Sequence, residues 1–131
     1  MKRSTLTRKT PMKRSALSAV SASMTTIKTE PSFSVRICIA GNYADAERIC
    51  REFCFNGYCV TLEVAEYIYA GGQESGVVVG LINYPRFPSN HDLITDAAKQ
   101  LGMKLMEGLF QQSFCVVTPV DTIWFSRRPQ E

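Results

Sequence analysis

The chain is poor in the side chains that most metal centres and many catalytic sites need. It has one histidine, His91, and one tryptophan among 131 residues. Its five cysteines form no Cys-x-x-Cys pair, which argues against a zinc site, and their odd number argues against a disulfide framework. We therefore predict that most cysteines are small buried hydrophobic residues in a reducing cytosol. The same composition predicts a protein without a metal and without a cofactor.

Long apolar runs are also missing. No stretch of about 18 or more apolar residues occurs, so we expect no membrane span. The basic N-terminus is not followed by the apolar segment that a secretory signal needs. These absences favour a cytoplasmic protein, or one in the host cytoplasm if the chain is viral.

Positive charge is concentrated at the N-terminus. Residues 1–30 hold seven of the 15 Lys and Arg but one of the 12 Asp and Glu, so the rest is mildly acidic and a poor match for nucleic acid. We interpret residues 1–31 as a disordered basic tail, 32–126 as one folded domain and 127–131 as a C-terminal end. Alternatively, Met24 is the native start. The tail is also a candidate for contacts with nucleic acid.

The stretch Tyr67–Pro88 is the centre of the predicted fold. Tyr67–Tyr69 is a β-type aromatic run, Gly71 and Gly72 predict a turn, and Gly76–Asn83 is an apolar run. Two such runs joined by a glycine-bearing connection predict a long β-hairpin. Because Gly76–Asn83 has almost no polar side chain, we expect this strand to lie inside a sheet.

The remaining periodicity predicts an α+β, ferredoxin-like β-α-β-β-α-β domain, in which a four-stranded antiparallel sheet carries both helices on one face. Val120–Ser126 is either a short fifth strand or one turn of helix. Strand three is apolar on both faces, so its second face is predicted to contact another copy of the protein. The predicted elements are strands Ser32–Ala40, Tyr58–Tyr69, Gly76–Asn83 and Phe114–Thr118, helix Tyr43–Phe55 capped by Asn42, and a helix capped by Ser89 that ends near Phe110.

Several of these runs resemble the CutA (divalent-cation tolerance) family, which belongs with the PII-like signalling proteins. The matching residues are Cys59-Val60-Thr61, Tyr67-Ile68-Tyr69, Gly71-Gly72, Glu74 and Val77–Ile82. The chain departs from the family at Ala70, where a tryptophan is expected, and at Asn83-Tyr84. The resemblance implies a compact trimer with hairpins that embrace neighbouring subunits and with clefts between subunits, which hold nucleotides in PII-like relatives. The basic start RKTPMKRS is similar to the opening of some phage-encoded proteins.

The connection between strand three and the second helix is the best candidate site. A helix N-terminus offers free N–H groups to an anion, Arg86 offers a bidentate charge partner, and Tyr84 and Phe87 offer rings that stack on a base. A rigid connector with core aromatics explains the same residues without a ligand. The predicted ligand-binding residues are Tyr69, Tyr84, Arg86, Phe87, Ser89, Asn90 and His91.

No nucleophile, base and orienting group occur together, so the sequence favours a protein that is not an enzyme. We predict a homo-oligomer, a trimer or larger, that holds a nucleotide-derived anionic ligand in clefts between subunits. A phage protein of this kind would sequester a host defence signal. Two alternatives are a nucleic-acid-associated accessory protein that uses the basic tail and a CutA-like metal-tolerance protein.

Overall fold

The computed structural model describes residues 23–129. Most of the predicted basic tail lies outside the described residues, so its disorder and the alternative start at Met24 stay predictions. Within residues 23–129, no helix is long and apolar enough to cross a membrane. The elements are β1 (Ser34–Ala40), α1 (Tyr43–Cys54), β2 (Thr61–Tyr69), β3 (Gly72–Ile82), α2 (His91–Gly108), β4 (Ser113–Val117) and β5 (Thr122–Ser126).

The five strands form one antiparallel sheet in the order β2-β3-β1-β4-β5. The predicted α+β class is confirmed, but the predicted four-stranded ferredoxin-like sheet is wrong in strand number. The fifth strand forms because the chain reverses after β4. The Thr118 hydroxyl oxygen accepts hydrogen bonds from the backbone N–H groups of Val120 (3.1 Å) and Asp121 (3.0 Å), and this turn returns the chain along β4.

The core lies between one face of the sheet and the two helices. Val35, Ile37 and Ile39 of β1 are buried, as their alternation predicts. Their register partners on β3 point to the same side. Helix α1 packs against α2, and α2 packs on β1 and β4. The buried register partners and helix residues are Leu81, Val79 and Val77 of β3, Ala46, Ile49, Cys50 and Phe53 of α1, and Ile94, Ala97, Ala98, Leu101, Leu105 and Met106 of α2.

The two helix starts differ in how well the sequence predicts them. Asn42 caps α1 as predicted, since its side-chain oxygen accepts from the Asp45 N–H at 3.0 Å. The predicted cap of α2 is wrong by one residue. Asn90 is the cap and accepts from the Leu93 N–H at 2.9 Å. Ser89 lies before the cap, and its N–H donates a hydrogen bond to the side chain of Asn83.

The β2–β3 hairpin is longer than the sequence indicates. Tyr69 pairs with Gly72, so the turn is Ala70–Gly71, with Gly71 in the left-handed region at φ 85°. Strand β3 therefore begins at Gly72 and not at Gly76. Its polar first residues stay in the strand because they pair with β2, and the Ser75 hydroxyl also donates to Glu66 at 2.7 Å.

Candidate functional site

The face of the sheet opposite the helices has no covering layer among residues 23–129, and we call it the open face. Alternation along each strand assigns its members, since paired residues in antiparallel strands point to the same side. Its central strand contributes Arg36 and Cys38. The open face also carries Thr61, Glu63, Ala65 and Tyr67 of β2, Glu74, Gly76, Val78, Gly80 and Ile82 of β3, Cys115 and Val117 of β4, and Trp124 of β5.

Tyr67 crosses the open face above a glycine. A Cβ atom at Gly76 would lie 2.8 Å from Cε2 of the Tyr67 ring, so the ring fills the space a side chain would need. The Tyr67 hydroxyl donates to the Val77 carbonyl at 2.5 Å. Burial, helped by Cys38, raises the pKa of Tyr67 to about 12. At neutral pH this phenol is therefore a hydrogen-bond donor and not a base.

Two cysteines lie side by side near Tyr67. Cys38 of β1 is the direct cross-strand partner of Cys115 of β4. Burial raises the pKa of the Cys115 thiol, and Cys38 adds to the effect. All five cysteines are free thiols. Within residues 23–129, no group of three or more His, Cys, Asp and Glu side chains could hold a metal ion.

A cleft of about 660 Å³ opens where β1 begins and β3 ends, and we call it the Arg36 cleft. Arg36 is exposed there, and its cross-strand partners are Gly80 and Val117, neither of which carries charge. Glu30 lines the same cleft and is half-buried. The other lining residues are Ser32, Phe33, Ser34, Ile82, Asn83, Pro85, Thr118 and Pro119.

Asn83 holds the rim of this cleft. It is only 6% exposed, and its side chain joins two distant segments. The side-chain amide nitrogen donates to the Pro31 carbonyl at 2.9 Å, and the side-chain oxygen accepts from the Ser89 N–H at 2.8 Å. The segment before β1 and the start of α2 are therefore fixed to the end of β3. A buried side-chain amide whose donor and acceptor are both hydrogen-bonded is a rigid support for a site.

A smaller cleft of about 300 Å³ lies beside the connection that follows Asn83, and we call it the Tyr84 cleft. It brings together three predicted ligand-binding residues, Tyr84, Phe87 and Ser89. A hydrogen bond with the Cys59 thiol raises the pKa of the Tyr84 phenol. Arg86 lies over the Phe87 ring, with its guanidinium carbon 5.4 Å from the ring centroid.

The structure gives the other predicted site residues different surroundings. The side chain of Asn90 is used as the α2 cap. His91 faces Asp92 through Nδ1 at 3.4 Å and packs edge-on against Phe33, while its Nε2 is buried without a partner in the described part of the chain. Tyr69 lies at the far end of the hairpin. The 11 residues of β3 separate it from the connection by about 33 Å, so one chain cannot bring it to the others.

Comparisons with known proteins point to one kind of protein. No protein-family model matches the chain, and no curated protein does. A solved structure of a phage SAM lyase in complex with S-methyl-5'-thioadenosine is similar, with 18% identity, a TM-score of 0.53, and coverage of 83% of this chain and 100% of that chain. A phage SAM lyase in the apo state is similar with 17% identity, a TM-score of 0.57, and coverage of 82% and 100%. At this identity the similarity shows a shared fold.

These similarities overturn the expectation that the chain is not an enzyme. Both similar structures are of a lyase, and their full length matches this fold. The expectation came from the lack of a nucleophile, base and orienting group. The resemblance to CutA and PII-like proteins is not tested by these comparisons.

Sequence reasoning missed the side chains of the larger cleft. It did not single out Arg36, and it placed Glu30 within the predicted tail, residues 1–31. The available signal was a single charge on a strand whose other outward residues are small or apolar. The crossing of Tyr67 over Gly76 has a weaker sequence signal: a glycine inside an apolar strand, which indicates that another group approaches the backbone closely.

Proposed function

We propose that this chain is a phage enzyme that binds S-adenosylmethionine (SAM) and cleaves it as a lyase. The observation that carries the proposal is the match of the whole phage SAM lyase chain, in one case with S-methyl-5'-thioadenosine bound, to 83% of this chain. The Arg36 cleft supports it. Its volume of about 660 Å³ lies in the range of sites for small ligands.

The chemistry follows from the two small molecules. S-methyl-5'-thioadenosine is SAM without its four-carbon amino-acid arm, so the bond from sulfur to that arm must break. The electron pair stays on sulfur, and the sulfonium becomes a neutral thioether. A lyase adds no water, so the carbon that loses sulfur forms its new bond within the arm. Attack by the arm's own carboxylate oxygen needs no base, whereas formation of a double bond needs a base that accepts the proton lost from the neighbouring carbon.

The walls of the Arg36 cleft suit a step in which charge is lost. Phe33, Ile82 and Val117 give the cleft apolar surfaces. Neutralising a sulfonium is easier in such surroundings than in water, because water stabilises the charged reactant more than the transition state with its reduced charge. For attack by the arm's carboxylate, the protein's contribution would then be orientation and removal of water, neither of which needs an ionised catalytic side chain.

We propose further that the site is completed by a second copy of the chain. The hairpin carries apolar side chains that the described chain leaves uncovered, with Val64 69% exposed and Ile68 77% exposed. The open face adds Val78, Ile82 and Trp124. Surfaces of this kind are typical of contacts between subunits. A hairpin that reaches a neighbouring copy would place its end near that copy's cleft, in keeping with the predicted homo-oligomer.

The Tyr84 cleft is the competing location for the adenosine end of the ligand. Its volume of about 300 Å³ is at the lower limit for small-ligand sites, and Tyr84 and Phe87 could stack on a base. Of the predicted ligand-binding residues, Tyr84, Phe87 and Ser89 line this cleft and can be tested there. If Phe87→Ala weakens binding of S-methyl-5'-thioadenosine, the base lies in the Tyr84 cleft.

A phage enzyme with this activity would work in the cytoplasm of the infected host, where it would remove SAM instead of sequestering a signal. Binding of nucleic acid through the basic tail has no support among the described residues and stays a prediction.

Turnover of SAM tests the proposal directly. Purified protein is incubated with SAM, and the products are separated by chromatography and identified by mass spectrometry. We expect S-methyl-5'-thioadenosine to form faster than in a sample without protein, which corrects for spontaneous breakdown. Formation of S-adenosylhomocysteine would instead indicate methyl transfer. If no product forms and isothermal titration shows no binding of SAM, the proposed function is wrong.

A further inference from the structure

Arg36 is an unpaired cation in an unusual place. It projects from β1, the middle strand of the sheet, onto the open face. Within residues 23–129 its side chain makes no ion pair and no hydrogen bond. Gly80 across the strand pair has no side chain, and Val117 on the other side is apolar, so the guanidinium is free to meet a ligand.

Glu30 supplies the opposite charge in the same cleft. It is half-buried, and it also makes no ion pair or side-chain hydrogen bond with any residue in the range 23–129. The hydrogen bond from Asn83 to the Pro31 carbonyl holds the backbone next to Glu30 in place. The cleft therefore presents a guanidinium and a carboxylate that form no ion pair with each other.

We infer that Arg36 and Glu30 recognise the α-amino-acid end of the ligand, with the ligand's carboxylate on Arg36 and its ammonium on Glu30. This inference rests on the proposed function, because SAM carries such an end and S-methyl-5'-thioadenosine does not. A guanidinium binds a carboxylate with two parallel hydrogen bonds, which fixes the direction of the arm as well as its position.

The arrangement predicts selectivity between substrate and product. A substrate with the amino-acid arm makes two charge-assisted contacts that the thioadenosine product cannot make. When the arm fills the cleft, it displaces water from around both charges, and this strengthens the two contacts. The site would therefore hold the substrate and release the product once the arm has left.

The test compares two ligands that are not consumed. S-adenosylhomocysteine keeps the amino-acid arm and has no sulfonium, and S-methyl-5'-thioadenosine lacks the arm. Isothermal titration measures both with the wild-type chain and with Arg36→Gln. We expect Arg36→Gln to weaken the binding of S-adenosylhomocysteine about 10- to 100-fold, as loss of a charge-assisted pair predicts. The Kd of S-methyl-5'-thioadenosine should change less than about 2-fold.

Further variants make the test specific. Glu30→Gln should weaken S-adenosylhomocysteine by a smaller factor, because a neutral amide still accepts a hydrogen bond from the ammonium. The affinity of Arg36→Lys for S-adenosylhomocysteine should lie between those of the wild type and Arg36→Gln, since lysine keeps the charge but cannot make two parallel hydrogen bonds. Arg51→Gln is the matched control. Arg51 lies on the outer side of α1, where it pairs with Glu47 at 3.3 Å, and this variant should bind both ligands as the wild type does.

The outcomes separate this inference from the proposed function. If Arg36→Gln weakens the binding of both ligands equally, or of neither, the inference is overturned, whatever the turnover of SAM shows. If the wild-type chain binds neither ligand and forms no thioadenosine, the proposed function fails as well. Thermal denaturation without ligand checks folding, and because Arg36 is exposed and unpaired, its variants should unfold at the wild-type temperature.

Discussion

The ring of Tyr67 occupies the space that a side chain at position 76 would fill. Glycine at that position lets the tyrosine cross from β2 towards Cys38 on β1. The crossing links three strands of the open face through one side chain.

Replacing Gly76 by alanine should destabilise the protein. The added Cβ would collide with the Ile39 carbonyl oxygen and would lie 2.7 Å from the Ala40 Cα and 2.8 Å from the Tyr67 ring. Because two of these contacts are with backbone, the strands must separate, and we expect the free energy of unfolding to fall by about 1–3 kcal/mol in urea denaturation. Gly72→Ala is the control, since the three atoms nearest to its added Cβ all belong to the exposed Tyr69 ring, which can move. Equal losses in the two variants would contradict the packing at Gly76.

The raised pKa of Tyr67 predicts a loss of stability in alkali. The phenol has a pKa of about 12 in the folded protein and about 10 when unfolded, so the unfolded chain loses its proton first. The contribution is fully present below pH 10 and is lost as pH rises towards 12. Urea denaturation between pH 9 and pH 11.5 measures this slope. Tyr67→Phe should reduce the slope and should remove one late-titrating group from the tyrosinate absorbance. An unchanged slope would contradict the burial of this hydroxyl.

Asn83 should be sensitive to replacement because both ends of its amide are bonded. Asn83→Ala leaves the Ser89 N–H and the Pro31 carbonyl without their partner, and we expect a loss of about 1–3 kcal/mol in the free energy of unfolding. Asn83→Asp keeps the acceptor for Ser89 and loses the donor to Pro31. It should also free the segment that carries Glu30, which hydrogen exchange near residue 31 would detect. If Asn83→Ala unfolds like the wild type, the rim of the Arg36 cleft is not held by this residue.

The exposed apolar residues of the hairpin predict that copies associate. Val64→Ser with Ile68→Ser should shift the protein towards the monomer in light scattering coupled to size-exclusion chromatography, because the hairpin would lose apolar area to bury. Val120→Ser removes a similarly exposed apolar side chain from the β4–β5 turn and should leave the mass unchanged. A wild-type chain that is monomeric at high concentration would contradict the proposed shared site.

The sequence predicts the elements of this fold better than it predicts the site. Alternation at Val35, Ile37 and Ile39 and the Asn42 cap are local signals, and both are confirmed. The fifth strand depends on a turn made by Thr118 with Asp121, so periodicity alone left it open. Helix α2 is capped by Asn90, whose side chain accepts from the Leu93 N–H, while the neighbouring Ser89 uses its N–H to bond Asn83.

The Arg36 cleft could not be predicted from local patterns. Its walls come from segments near residues 30, 36, 83 and 118, which meet only through the pairing of β1 with β3 and β4. The connection with Tyr84, Arg86 and Phe87 drew attention because its residues are adjacent in the chain. In the folded chain, a larger cleft with two unpaired charges lies beside the same connection.

Cleavage of SAM in water enriched in heavy oxygen tests the central claim most directly. The chain is incubated with SAM, and the products are analysed by mass spectrometry at early times against a sample without protein. We predict that S-methyl-5'-thioadenosine accumulates and that the carbon which carried sulfur receives no oxygen from water. Failure to form the thioadenosine above the protein-free rate, or heavy oxygen bound to that carbon, would contradict a lyase.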